Sequence, residues 1–257
     1  MKKIASLLLG CFAVVLTGCL DTVEEFNISA DGSGVYTSTV DMSGMIGLLE
    51  MVAAMDTSAK SGLDSFKEQN MDSVINFRDL VDADTSMTAE QKRLFADAKM
   101  NITMKGKEGV MKFGMTYPFK KLEDVAKIQQ MNESGKGVGL FGNKGKANPM
   151  QEMAKDGDLP DFSKYMQVNF RNGLLERKVN AEKLNELKND EKFKQMGQAE
   201  EMMESVSFTS IIHLPRAATV ATGEKVQLSA DKKTVTIKTN MKDLLTNPKS
   251  LDFKVTY

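Results

Sequence analysis

The sequence predicts an α+β fold in which β-hairpins build an antiparallel sheet or sheets and the helices pack on one face. Four segments alternate apolar and polar residues on either side of a tight-turn sequence, which is typical of hairpins. Each of these segments is followed by residues with helical spacing. The chain has 257 residues, which is also long enough to bury a sizeable core.

The first hairpin is predicted to turn at Asp31-Gly32. Asp-Gly between alternating residues is a strong hairpin signal, because both central positions of such a turn need a positive φ. A two-residue turn here places Ile28 opposite Val35 on one face of the sheet. The alternating positions, and the helical positions after them, are Phe26, Ile28, Ala30, Val35, Val40, Met42, Met45, Ile46 and Leu49.

Two further hairpins follow in the middle of the chain. The second is predicted to turn within 106–109 and to lead into a helix over 122–131. The third turns at Asn172-Gly173, and Asn180 is a suitable N-cap for the helix after it. Both hairpins repeat the order strand, turn, strand, helix.

The fourth hairpin turns at Asp231-Lys232 and leads into a short helix over 241–245, which Pro248 ends. Its Ser229-Ala230-Asp231 repeats Ser29-Ala30-Asp31 at an offset of 200 residues. A duplicated hairpin and a shared turn chemistry both explain the repeat. We favour turn chemistry, because Ser and Asp recur in turns for general reasons.

Other elements complete the predicted fold. A helix is expected over 71–98, with a capping box from Thr88 to Gln91, and a long helix ends near 204. Strands are expected over 206–214 and 251–256. Polar and small residues predict mobile surface loops near 56–70 and 132–149.

The N-terminus carries the pattern of an export signal. Two lysines precede a mostly apolar run over 4–16, whose thirteen residues fit a secretory signal and are too few to span a bilayer. The run ends in Leu16-Thr17-Gly18-Cys19, which resembles the lipobox of bacterial lipoproteins. This resemblance implies removal of residues 1–18 and lipidation of Cys19. The predicted organisation is therefore a signal peptide over 1–18, a lipidated tether over 19–24 and a single domain over 25–257.

Lipidation predicts a location in the cell envelope. Two or more acyl chains hold a soluble domain on a bilayer, so the membrane becomes a partner through the acyl chains on Cys19. In lipoproteins generally, Asp directly after the modified cysteine favours retention in the inner membrane. Leu20 holds that place here, which favours the outer membrane. The acidic Asp21, Glu24 and Glu25 are expected to belong to the solvated tether.

Composition excludes two classes of protein. Without residues 1–18 the chain has 32 basic and 35 acidic side chains, a net charge of −3, so there is no basic field to attract nucleic acid. The two cysteines of the chain are Cys11, in the signal, and Cys19. The mature domain therefore contains no disulfide, and its apolar core alone must hold it together.

Two polar motifs resemble ligand sites superficially. Gly137, Gly139 and Gly142 form a G-x-G-x-x-G, but a dinucleotide site needs a strand before these glycines and a helix after them, and here a helix precedes them. Asp156 and Asp158 are spaced as in a calcium loop, but Pro160 occupies the fifth position. A flexible loop explains the glycines, and a turn explains the acidic run that ends at Asp161.

Single residue types also limit the chemistry. His213 is the only histidine, which excludes a multi-histidine metal site. Ser210 precedes it by three positions in a predicted strand, so their side chains are expected on opposite faces. The nineteen methionines could bind Cu(I), but they alternate with other apolar residues, and we interpret them as core filling.

The lipobox, the hairpin over 26–36 and the terminal strand over 251–257 resemble a broad group of envelope lipoproteins. The chain is more specifically similar to the mycobacterial lipoprotein M type, a family linked to lipid binding, although no catalytic motif is shared. We therefore expect an envelope lipoprotein with a non-enzymatic binding or structural role and an envelope protein or lipid as partner. The alternative is a carrier or sensor of lipid-like ligands in a Met-lined pocket. A hydrolase is the least supported function, and no catalytic residue, metal or cofactor is predicted.

Overall fold

The computed structural model describes residues 20–47, 50, 63–64, 66–133, 165–180, 182–184 and 204–257. Within this part of the chain, twelve strands form two mainly antiparallel sheets, and the helices lie beside them. The predicted α+β class is therefore confirmed.

The larger sheet has eight strands, which are β1 Leu20–Ile28, β2 Gly34–Asp41, β3 Asn70–Asn76, β4 Lys99–Lys105, β5 Val110–Phe119, β8 Val206–His213, β10 Val226–Leu228 and β11 Thr234–Asn240. Their order in the sheet is β10-β11-β8-β1-β2-β5-β4-β3. Neighbours are antiparallel except β1 and β8, which run parallel and are separated by 178 positions along the chain, from Ile28 to Val206.

The smaller sheet has four strands, which are β6 Met166–Arg171, β7 Leu174–Val179, β9 Val220–Thr222 and β12 Phe253–Thr256. Their order in the sheet is β6-β7-β12-β9. The inner strands β7 and β12 each pair on both sides.

The described helices are short. Capping boxes start two of them, one from Thr88 to Gln91 as predicted and one from Asn240 to Asp243. The helices are α1 Arg78–Ala83, α2 Ala89–Phe95, α3 Leu122–Glu133 and α4 Met241–Thr246, and 3-10 turns cover Gly106–Glu108 and Pro248–Leu251. Asn180 caps the next helical residues as expected, because its side chain accepts a hydrogen bond from the Lys183 amide at 3.1 Å.

The main core lies between the two sheets, with α1 to α3 closing its side. Register places Phe26, Tyr36 and Tyr117 side by side on three neighbouring strands, and their rings pack 5.0 and 5.8 Å apart. Phe170 of the smaller sheet meets Phe26 edge-on at 5.8 Å. Each of these rings is almost completely buried, and burying a large apolar side chain contributes about 1.5–3 kcal/mol.

The second, third and fourth hairpins form as predicted, but the first has a different register. Ile28 lies opposite Gly34, not Val35. The turn is longer than two residues, because the Ser29 amide donates to the Ser33 carbonyl and the Asp31 carboxylate accepts from the Ser33 amide. The fourth hairpin has the same Ser–Asp turn, in which Asp231 accepts from the Lys233 amide.

The predicted helix over 71–98 is wrong in its first part. Residues 70–76 form the edge strand β3, and only 78–83 and 89–95 are helical. β3 alternates exposed and half-buried positions, so Met71, Ser73 and Ile75 face the layer that β4 also covers. A pattern of period two was therefore mistaken for part of a helix.

Two predicted boundaries also need correction. Residues 20–24 of the predicted tether belong to β1, because β8 pairs with this strand from Leu20 onward and β2 pairs with its other edge from Asp21 onward. In the predicted loop over 56–70, Leu63 and Phe66 are helical and pack on the apolar side of the sheet. Of the predicted loop over 132–149, residues 132–133 end α3, and the rest lies outside the described residues.

Candidate functional site

The inner face of the larger sheet carries a row of polar side chains in the middle of its apolar surface. This row, called the polar rung below, consists of Glu24, Ser38 and Ser210. Glu24 on β1 lies opposite Ser38 of β2 and beside Ser210 of β8. Because side chains alternate along a strand, Glu24 shares its face with the buried Phe26 and Ile28. The carboxylate predicted to be part of a solvated tether therefore points between the two sheets.

Three side chains donate hydrogen bonds to Glu24. The Tyr36 hydroxyl and the Gln129 amide reach Oε1 at 2.5 and 2.9 Å. The Ser210 hydroxyl reaches Oε2 at the longer distance of 3.3 Å. An ionised carboxylate offers about four acceptor positions, so Oε2 retains room for another donor. Tyr36, Gln129 and Ser210 come from three different elements, and together they fix the carboxylate in place.

The phenol of Tyr36 is held in its protonated form. Burial and the neighbouring charge of Glu24 raise the pKa of Tyr36 well above its ordinary value. Its hydroxyl therefore remains a donor at neutral pH, and the hydrogen bond to Glu24 is charge-assisted and short.

A cavity of about 480 Å³ lies against this polar rung. The inner face of the larger sheet lines one side, and residues of α3, the smaller sheet, α4 and the 3-10 turn at 248–251 contribute the rest of the lining. Its apolar lining consists of Ala126, Met166, Val168, Phe208, Leu244 and Leu251. The other lining residues are polar and include the fixed Glu24 and two cationic side chains, Lys127 and Arg177.

Arg177 brings a cation to the cavity from β7 of the smaller sheet. Its Nε donates to the Leu251 carbonyl at 3.2 Å, and its guanidinium lies 4.9 Å from the centre of the Phe253 ring. These contacts hold the guanidinium in the cavity lining, on the smaller sheet, which faces the sheet that carries Glu24.

Ser210 and His213 lie on opposite faces of β8, as the strand periodicity predicts. Ser210 is buried beside Glu24, whereas the imidazole of His213 faces outward, 3.2 Å from Glu25 Oε1 and 3.4 Å from the Thr234 hydroxyl. No serine–histidine contact forms between these two residues. Within the described ranges, His, Asp and Glu side chains nowhere gather in threes that could hold a metal ion.

Several of the other predicted sites lie outside the described residues. These are the lipidation site Cys19, the glycine motif over 137–142 and the acidic run over 156–161. Four methionines are buried in apolar clusters, which confirms core filling for Met100, Met104, Met111 and Met241.

The residues that line the cavity were not predicted from the sequence. One signal was available for Glu24, because it stands two positions before Phe26 and four before Ile28 and so shares their face. Nothing in the sequence near Gln129 or Arg177 indicates that either reaches this cavity, since their partners are distant along the chain.

No protein-family model matches the chain, and no curated protein does. Among solved structures it is similar to the NMR structure of the folded domain of LppM from Mycobacterium tuberculosis, with 10% sequence identity and a TM-score of 0.38. The alignment covers 94% of this chain and 91% of that one. A search of the described residues for a bilayer-spanning helix found none.

Proposed function

We propose that the protein is a lipid-anchored envelope lipoprotein whose domain binds an amphiphile without catalysing a reaction. The observation that carries the proposal is the cavity of about 480 Å³, in which an apolar portion of the lining adjoins polar side chains that include the fixed carboxylate of Glu24. Its volume is within the range of about 300–1,000 Å³ that small-molecule sites occupy. Of the two roles expected from the sequence, this favours the carrier or sensor over a purely structural role.

Glu24 defines the head of the amphiphile. A carboxylate in an apolar layer is costly unless donors surround it, and its Oε2 has one long hydrogen bond at 3.3 Å. A ligand hydroxyl or ammonium group would supply the additional donor. The apolar lining on the other side of the cavity would hold the hydrocarbon part.

The lipobox ending in Cys19 supports anchoring in the cell envelope. The outer membrane is the proposed destination, because Leu20 stands where an inner-membrane signal would place Asp. The proposed partners are therefore the membrane, through the acyl chains on Cys19, and the amphiphile in the cavity.

Native mass spectrometry of the purified mature protein tests the cavity. Ser38 lines the cavity, and Thr37 is its neighbour on the opposite face of β2. We expect Ser38→Phe to lower the occupancy of a co-purified amphiphile at least tenfold and Thr37→Phe to leave it unchanged. Equal occupancy in both variants, or a wild-type protein that carries no amphiphile, would refute the proposal.

Calorimetry with defined probes tests the head group. Dodecylammonium and dodecanoate have the same chain length and differ in the charge of the head. We expect the ammonium to bind at least tenfold more tightly, and Glu24→Gln to remove most of that difference. Tighter binding of dodecanoate would contradict the selection of the head group by Glu24.

A further inference from the structure

Strand β1 starts at Leu20, directly after the predicted lipidation site Cys19. Leu20 is paired with Val206 of β8, and its amide donates to the Ser205 carbonyl at 3.3 Å. At the next position Asp21 pairs with both Asp41 and Ser207. The strand is therefore paired on one edge at the residue after Cys19 and on both edges from Asp21 onward.

A strand attached in this way restricts the orientation of the domain. β1 rises by about 3.3 Å per residue, so Ile28 lies roughly 26 Å farther from the anchor than Leu20 along the strand. The end of the sheet with Leu20 also carries Asn240 and α4, since Asn240 pairs with Ser207. The opposite end carries the turns of the first and fourth hairpins.

The cavity lies in the half of the domain nearer the anchor. Thr22 and Phe208 lie opposite each other three residues beyond Cys19, roughly 10 Å along the strand, and both line the cavity. Glu24 follows two residues farther along β1. Beyond it the buried Phe26 and Ile212 close the space between the sheets.

The distance of roughly 10 Å from Cys19 to Thr22 along the strand exceeds the thickness of the lipid head groups, about 5–7 Å on each side of a bilayer, by only a few ångströms. We propose that the end of the domain formed by Leu20, Val206, Asn240 and α4 rests on the bilayer, with the cavity in the half of the domain nearer the leaflet. The inference rests on the proposed lipidation of Cys19.

Two matched variants test the orientation in the full lipidated protein. Lys249 is exposed in the 3-10 turn that packs on α4, and Lys233 is exposed in the far turn of the fourth hairpin. Each Lys→Cys change removes one positive charge and, because Cys19 is acylated, introduces the single free thiol of the mature chain. A bimane label at each thiol reports its proximity to doxyl-labelled phosphatidylcholine in vesicles of phosphatidylcholine and phosphatidylglycerol.

We expect quenching at position 249 to be at least threefold stronger than at position 233. A twelve-residue Gly/Ser insertion after Cys19 has a mean reach of roughly 20 Å and should reduce this ratio towards one. Equal quenching without the insertion, or stronger quenching at 233, would overturn the orientation even if acylation is intact. The intact mass of the mature protein identifies the other failure, because a chain without acyl groups would overturn both the anchor and the orientation.

Discussion

The Tyr36 hydroxyl donates a 2.5 Å hydrogen bond to Glu24, its diagonal neighbour on the next strand. Tyr36 also packs between the rings of Phe26 and Tyr117, so the same side chain belongs to the apolar core and to the polar rung. This relationship couples the fixed carboxylate of the cavity to the most buried layer of the domain.

Tyr36→Phe should destabilise the domain by about 1–3 kcal/mol, because it removes a charge-assisted donor from Glu24 while keeping the ring. Tyr257→Phe is the matched control. The Tyr257 hydroxyl is buried without a hydrogen-bond partner among the described residues, so its removal should be neutral or slightly stabilising. Urea unfolding of both variants measures the difference, and a Tyr36→Phe variant as stable as wild type would contradict the role of this bond.

Arg93 and Asp124 form a two-pronged ion pair between α2 and α3, with distances of 3.1 and 2.8 Å. Burial of Asp124 opposes its ionisation, but the hydrogen bonds and charge of Arg93 outweigh this, and the pKa of Asp124 is lowered. A carboxyl group whose pKa is lower in the folded state stabilises that state at pH values above its pKa in the unfolded chain, about 3.9. This stabilisation is lost as the pH falls through the lower pKa of the folded state.

Arg93→Gln should therefore cost about 2 kcal/mol at pH 7, since it leaves a buried carboxylate without its cation. The difference in melting temperature between this variant and wild type should shrink below pH 4. Arg78→Gln is the control, because the Arg78–Asp97 pair is exposed on both sides. An Arg93→Gln penalty that is constant from pH 7 to pH 3 would argue against the ion pair as its source.

Gly34 starts β2 where two other elements approach closely. A Cβ at this position would lie 2.0 Å from the Asn27 carbonyl oxygen and 2.7 Å from the Phe119 ring. Gly34→Ala should therefore destabilise the first hairpin by about 1–3 kcal/mol. Gly47→Ala should raise the free energy of unfolding of the domain by up to about 1 kcal/mol, because Gly47 is helical and a Cβ there would meet no neighbouring atom within 4 Å. Chemical denaturation distinguishes the two, and equal effects would be inconsistent with the close approach.

Cys19→Ser should abolish acylation and move the protein from the membrane fraction to the soluble fraction, because no thiol remains at the lipobox. Cys11→Ser, inside the predicted signal, should leave both processing and fractionation unchanged. Fractionation together with the mass of the mature chain provides the measurement. An unchanged membrane fraction in Cys19→Ser would show that another feature anchors the protein.

Local sequence determined the hairpins and their order. Turn residues such as Asn172-Gly173 and the alternation around them act within a few residues, so the pairs β6–β7 and β4–β5 could be predicted without any tertiary contact. Where two local signals compete, as in 70–76, an edge strand with exposed alternate residues was mistaken for a helix.

Tertiary structure decided the cavity and its chemistry. Glu24 is acidic and close to the lipobox, which locally favours a solvated tether, but the parallel pairing with β8 places it in the interior beside Ser210, 186 residues away. Gln129 and Arg177 likewise reach the cavity from elements whose packing depends on the completed sheets. The sequence by itself determined which residues alternate and where the chain turns, because these depend on neighbouring residues. Which face the carboxylate occupies depends on contacts between distant strands, and only the folded chain specifies them.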